Sequence, residues 1–478
     1  MNNEIVFLPV RDLSKIIQKK EMSPVDVTKL FLSRLEEIGP EYNSVVTITQ
    51  DLALYQAKKA EKEILCGNYK SPLHGIPYGA KDLLSTSGGI PTTWGAVPFR
   101  DRTFDYDATV IIKLHEAGAI LAAKLAMVEF AGGMGYKQPN ASLTGPCRSP
   151  WGKENWAGGS SSGSGSAVGC GLIPFAIGSE TWGSILTPAN NCGVSGLRPT
   201  YGRVSKHGAM ALSWTLDKLG PLGLTADDCG LVLDAISGSD PNDPSSSRMD
   251  YSYSLGRLQQ RPMLGLLKDT LSETPKDISD NFQASLAILN DFADTEEFTF
   301  PEYPYEETIR TIILGESASA FEEITEKGLA GELTAPEDRY GPYARTIVLA
   351  KDYIKALRIR GMITPQIDTI MSKYDAIIGP TRRTPVSSLY EEFRGVGRGN
   401  TKDLLGAIGN LLGLPAISVP NGFTKDNLPT GIQFLGRPYE ENRIMTIANK
   451  YQSLTDWHTI HPESLLEKKD LSGEGGTV

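Results

Sequence analysis

Residues 158–166 read Gly-Gly-Ser-Ser-Ser-Gly-Ser-Gly-Ser, and on composition alone they would be a flexible linker. The residues after them argue otherwise. Ala167-Val168-Gly169-Cys170-Gly171-Leu172 carries small side chains suited to a tightly packed helix, which would hold the Gly/Ser run against the core. A Gly-rich turn ahead of a helix gathers backbone N–H groups and the positive end of the helix dipole, a setting for an anion or an oxyanion. Further out, the segment from Gly132 to Tyr201 lacks regular periodicity, yet it includes Trp151, Trp156, Phe175 and Trp182. A spacer would not carry those rings. Glycine makes up 49 of 478 residues, about 10% against an ordinary ~7%, and much of the surplus lies between Gly132 and Gly202.

The flanks are more regular. Ser23-Pro24-Val25-Asp26 supplies an N-cap, a proline at the first helical position and an acid three residues on, followed by Val27, Leu30, Phe31, Leu35 and Ile38 at helical spacing. Residues 51–65 predict a second helix, 72–81 turn into a short strand-like run, and 108–117 predict a helix leading into an apolar run. Towards the C-terminus, 237–251 reads as a turn-rich surface loop and 277–374 mainly as amphipathic helices. The runs 374–381 and 414–420 are apolar and stopped by proline, as buried strands of one sheet are. Helices alternating with short apolar runs predict an α/β layered fold.

Composition excludes several classes. Hydrophobic residues at 40% and charged residues at 22% fit a large buried core and rule out disorder as the main state. A net charge of −10 leaves no nucleic-acid footprint. The longest apolar stretch, 118–133, is broken by Lys124 and Glu129 and falls short of the roughly 20 residues of a membrane helix, so no span is expected. Five scattered cysteines without a CxxC pair predict neither a disulfide framework nor a metal site. With no basic, cleavable leader at the N-terminus, the expectation is a cytoplasmic protein.

Two mechanisms are open to the serines. Gly159-Ser160-Ser161-Ser162-Gly163 matches the G-x-S-x-G nucleophile elbow, but the elbow needs a buried strand before it, and residues 153–157 (Lys-Glu-Asn-Trp-Ala) do not read as one. It also needs a downstream histidine, for which only His207, His458 and His461 are available. The second mechanism takes its base from elsewhere. Gly178-Ser179-Glu180-Thr181-Trp182-Gly183-Ser184-Ile185 places another serine after a Gly-containing turn, and Lys81 follows an apolar strand where burial would disfavour its ammonium and free a base.

The combination of three stretches resembles the amidase signature family: His74-Gly75-Ile76-Pro77 with Lys81-Asp82, then Gly158-Gly159-Ser160-Ser161, then Gly183-Ser184-Ile185 with Cys192-Gly193-Val194 and 197–204. Ser160 and Ser184 stand 24 residues apart (184 − 160), as the family pattern requires, and 89–93, 217–221 and 414–420 extend the match in order along nearly the whole chain. The resemblance implies an α/β amidase signature fold, a large central mixed β-sheet covered by helices on both faces. It implies one domain over 1–466, with N-terminal helices (1–66), a signature core (67–235), a helical segment (277–374), C-terminal strands and helices (375–466), and a flexible tail (467–478).

For function the resemblance implies an amidase that hydrolyses a carboxylic C–N bond, with Ser184 as nucleophile, Ser160 on a cis peptide as proton relay and neutral Lys81 as general base. Backbone N–H groups of Thr181, Trp182, Gly183 and Ser184 would form the oxyanion hole, and Gly132, Gly133, Met134, Tyr136 and Ser161 would contact substrate. No metal or organic cofactor is implied. The expected partner is a small-molecule amide, with neither nucleic acid nor membrane, in a chain compatible with a homodimer. The alternative is the glutamine-hydrolysing component of an aminoacyl-tRNA amidotransferase, its A subunit, in which Arg360 and Asp403 fall near the positions that hold glutamine. A non-catalytic interaction protein is a further alternative. The chain departs from the usual family pattern at Glu180 for aspartate, Trp182 for glycine and Leu186 for arginine.

Overall fold

The computed structural model describes residues 3–134, 137–392 and 403–466; the expectations for Tyr136 and for the 467–478 tail lie outside these. Thirteen strands occur among the described residues: β1 (Val45–Ile48), β2 (Pro77–Lys81), β3 (Ile120–Leu125), β4 (Arg148–Ser149), β5 (Gly152–Trp156), β6 (Phe175–Glu180), β7 (Ser195–Arg198), β8 (Lys218–Gly223), β9 (Met263–Leu267), β10 (Asp294–Phe298), β11 (Ala376–Pro380), β12 (Ala416–Phe423) and β13 (Pro429–Leu435). Eleven of them form one sheet in the order β1-β3-β2-β6-β8-β7-β12-β13-β11-β9-β10, while β4 and β5 pair separately. The sheet is mixed: β3, β2 and β6 run parallel, as do β11, β9 and β10, and antiparallel pairs join these blocks.

Every residue of β2, β3, β6, β8, β11 and β13 is buried, so both faces of the sheet are covered. Helices cover it. Ser162–Gly169 packs on Leu186–Cys192, and Ala226–Ile236 packs on Glu441–Gln452. The Pro24–Glu37 helix begins as its sequence predicts, with the Ser23 hydroxyl accepting from the Asp26 N–H at 3.0 Å and proline in the first turn. The runs at 374–381 and 414–420 supply β11 and β12 of the same sheet.

Three local expectations are corrected. The helix read at 167–172 begins inside the Gly/Ser run, at Ser162, and ends at Gly169. Its serines are held by distant carbonyls, Ser164 Oγ donating to Ile177 O at 3.1 Å and Ser166 Oγ to Arg148 O at 2.8 Å. Residues 152–156 do form a strand, though an edge strand whose middle is exposed. The segment 277–374 contains β10, a polar strand pairing in parallel with β9.

Candidate active site

The carboxyl ends of the parallel neighbours β2 and β6 lie side by side and hold the candidate residues, as open α/β sheets tend to arrange. Lys81 is the last residue of β2 and fully buried. Its Nζ donates to Ser160 Oγ at 2.8 Å, Ser161 Oγ at 2.9 Å and Ser179 Oγ at 2.9 Å, with Ser179 O at 3.5 Å. Burial holds its pKa well below the usual lysine value, and the charges of Asp217 and Glu180 only partly oppose this. The Gly159–Ser160 peptide is cis. Ser160 is brought here because the helix after it presses close to β3: a Cβ on Gly163 would lie 2.4 Å from both Ala126 N and Ser44 O.

Ser184 sits on the turn between β6 and the Leu186–Cys192 helix, where Gly183 takes a φ of +83°. Its residue is 8% exposed, and it opens onto a cavity of about 320 Å³. Gly132, Gly159, Thr181, Trp182, Thr187 and Asn191 share that lining. Trp182 both packs against the core and walls the cavity; its Nε1 donates to Asp403 Oδ2 at 2.8 Å, and Arg310 lies 5.7 Å from its ring centre. Lys137, Arg310, Arg345 and Arg382 line the cavity, with Asp403 as its one acidic residue among those described.

Other expectations move. Ser161 belongs to the lysine's surroundings, donating to Ser179 O at 3.1 Å and accepting from Ser179 N at 3.1 Å; it does not line the cavity. Gly133 and Met134 line a neighbouring cavity of about 310 Å³ that meets the first at Arg345. Asp403 is on the cavity, whereas Arg360 donates to Thr215 Oγ1 at 3.1 Å away from it. Among the described residues no histidine lines the Ser184 cavity, and His461 stacks on Phe7 with ring centres 4.0 Å apart.

The sequence reading missed Ser179, although it stands inside the quoted turn, and it missed a buried network behind that turn. Glu180 Oε2 accepts from the N–H groups of Ile185 at 2.8 Å and Leu186 at 3.0 Å, while Oε1 accepts from Arg198 Nη1 at 2.7 Å and Asn410 Nδ2 at 3.0 Å. Burial would raise the Glu180 pKa, but Arg198, Lys218 and these hydrogen bonds bring it down to about 2. Arg198, from β7, thus supplies a guanidinium behind the turn where Leu186 lacks one. Asp82 is fixed by the Thr93 N–H at 3.0 Å and by Lys124 Nζ at 3.2 Å, which anchors the end of β2.

The eleven-stranded mixed sheet with its cleft beside β2 and β6 is the architecture of amidase enzymes: the peptide amidase of Stenotrophomonas maltophilia superposes with a TM-score of 0.83 at 26% identity, over 94% of this chain and 96% of that one. The chain belongs to the amidase family, whose pattern it matches over residues 26–445. Among its relatives is the glutamyl-tRNA(Gln) amidotransferase A subunit of Carboxydothermus hydrogenoformans, 33% identical over 96% of this chain and all of that protein. The protein of the same name from Geobacillus kaustophilus is 34% identical over 95% of this chain and 98% of its own length. Among the described residues, no helix is long and apolar enough to cross a membrane, and all five cysteines are unpaired.

Proposed function

We propose that this chain hydrolyses a carboxylic amide through an acyl-enzyme on Ser184. The observation that carries the reading is the buried Lys81 amine, 2.8 Å from the hydroxyl of Ser160 beside the Ser184 cavity. Ser184 Oγ attacks the amide carbonyl while its proton passes through Ser160 to neutral Lys81. The oxyanion is held by N–H groups of the 181–184 turn, at roughly 2.7–4 kcal/mol per donor. The C–N bond then breaks, the amine leaving with the proton returned by Lys81. Water next adds to the ester by the same relay, releasing the acid and restoring Ser184. Lysine serves as the base because burial denies it a stable charge. The reaction requires no metal or organic cofactor, and the unpaired cysteines accord with a reducing, cytoplasmic setting.

The cationic lining favours an acyl portion that bears a carboxylate, and Asp403 complements an amine. A primary amide with both groups is glutamine-like. The names of the relatives favour the glutaminase-subunit reading over a free-standing amidase. Trp182 speaks for the free-standing enzyme, because its indole already engages Asp403. Turnover of glutamine and of other primary amides, with and without tRNA and partner subunits, separates the two. Ser184→Ala abolishes turnover and fluorophosphonate labelling; a variant that keeps wild-type rates would remove Ser184 from the mechanism.

A further inference from the structure

Behind the cavity wall, two carboxyl groups are buried against each other. Glu129 precedes the Ala131–Gly132 segment that lines the cavity, and Asp338 lies in the Pro336–Arg345 helix that brings Arg345 to it. Both residues are 0% exposed. Glu129 Oε1 accepts from the Thr334 N–H at 2.6 Å, in the turn that leads into the helix. As carboxylates, Glu129 Oε2 and both Asp338 oxygens have no donor. One proton between the two groups, which are within hydrogen-bond contact, pairs Glu129 Oε2 with one Asp338 oxygen.

We propose that Glu129 and Asp338 are positioning residues that share one proton, and that this proton latches the Pro336–Arg345 helix onto the loop walling the substrate cavity, so that its loss at alkaline pH weakens substrate binding. The inference rests on the cavity being the substrate site. Asp338 and Arg345 are seven residues apart, two helical turns, and so share a face; a shift at one end of the helix is carried to the other. The loop side is held in place, with the Glu129 N–H bonded to Ala141 O at 2.8 Å and Phe130 and Ala131 at φ of 48° and 56°.

Glu337 and Arg345 of the same helix also act on the pair, one opposing ionisation and the other favouring it. Lys137, across from the helix, gives its N–H to Glu337 Oε1 at 2.7 Å, and Arg339 is bound to Leu333 O at 2.7 Å. Burial first, and then the Glu129 charge, push the Asp338 carboxyl up to about 8. Because that value is raised above the ordinary carboxylate range, the latch is complete below about 4 and is lost as the pH rises through about 8. On opening, the shared proton goes to solvent and two adjacent carboxylates remain.

The test is hydrogen exchange of the Pro336–Arg345 amides between pH 6.5 and 9.5, corrected for chemical exchange, in the full chain and in D338N; KM and kcat are followed on the same samples with a hydrolysed amide. In D338N the side-chain N–H₂ donates to the Glu129 carboxylate without a titrating proton. The wild type should show helix opening that grows about tenfold per pH unit up to about 8 and levels off above it, with KM rising over the same range as the open form becomes populated and kcat unmoved by the latch. D338N should show neither trend. E129Q places the amide on the other side and should behave like D338N, which covers the case of one variant failing to fold. A wild-type helix that exchanges independently of pH, or variants that keep the wild-type rise, would overturn the latch. Exchange is read without turnover, so an inactive protein would count against the hydrolase reading and leave the latch open to test.

Discussion

Lys81 Nζ lies within hydrogen-bond distance of three serine hydroxyls and donates to no carboxylate among the described residues; an ammonium there lacks a counter-charge, whereas a free amine can give its two N–H groups and accept from the third hydroxyl. Its folded pKa lies below the unfolded value, so between the two the unfolded chain binds more protons, and stability contributed at this site rises with pH. The same shift enlarges the free-amine fraction at any given pH. At saturating substrate, activity therefore climbs out of an acid limb and persists into the alkaline range; the pH profile of kcat checks this. Lys81→Ala should lose about 10²–10⁴-fold in kcat/KM, the usual worth of a positioned base, while His207→Ala should stay within about twofold. An equal loss in both would mean that the proton goes elsewhere. At Trp182 the prediction concerns room. Trp182→Gly removes a wall of the cavity and frees Asp403, so kcat/KM for bulky acyl groups relative to small ones should rise about tenfold or more, as read from paired substrates. Lys81, Ser160 and Ser184 were legible because each stands in a long motif. Arg345 was not, since a lone arginine on a charged helix looks like any solvated one.

The turn that carries Ser184 is held from behind by Glu180, which caps the Leu186–Cys192 helix and neutralises Arg198. Glu180→Gln would leave the buried Arg198 without its counter-charge, at a cost of about 3–5 kcal/mol read from urea denaturation. The sign with pH is set by the lowered value. Because the folded pKa is held at about 2, the contribution is present above the ordinary glutamate range and is lost as the pH falls through 2. The acid limb of stability should therefore be shallower in Glu180→Gln. Nothing in the sequence pairs Glu180 with Asn410, 230 positions away, because side-chain contacts between distant elements leave no local period. The Gly/Ser helix shows the same limit in reverse. Its weak intrinsic propensity predicted a turn, whereas hydrogen bonds to Ile177 O and Arg148 O and the close approach of Gly163 to β3 make it helical from Ser162. β10, Asp-Thr-Glu-Glu-Phe, was hidden because an edge strand exposed to water has no apolar alternation, and its charges discourage further pairing.

At the scale of the whole molecule, the α/β class was legible from alternating helices and apolar runs, but the strand order was not. Adjacent strands β7 and β12 are more than two hundred residues apart, and periodicity carries no information about such neighbours. The order matters because it brings the Arg382 and Asp403 segments across from β6, and with them a charge pattern opposite to that of the protein as a whole. The chain carries a net −10, yet among the described residues the cavity gathers Lys137, Arg310, Arg345 and Arg382 around one acid, Asp403. Acidic groups spread over the outer surface are largely screened at a Debye length of about 8 Å in physiological salt, whereas cations converging on one low-dielectric cavity act together on a bound anion. An amide bearing a carboxylate should therefore bind through these groups, and its KM should rise several-fold as salt is raised from about 0.15 to 1 M, where the screening length falls to about 3 Å. A neutral amide of the same size should be nearly insensitive to salt. Arg382→Gln sharpens the comparison: loss of one charge-assisted contact, worth about 1.5–3 kcal/mol, should raise KM for the anionic amide by at least tenfold and leave the neutral one within about twofold. Equal effects on both substrates would show that Arg382 shapes the cavity rather than reading charge, and the acyl group would then have to be sought among neutral amides.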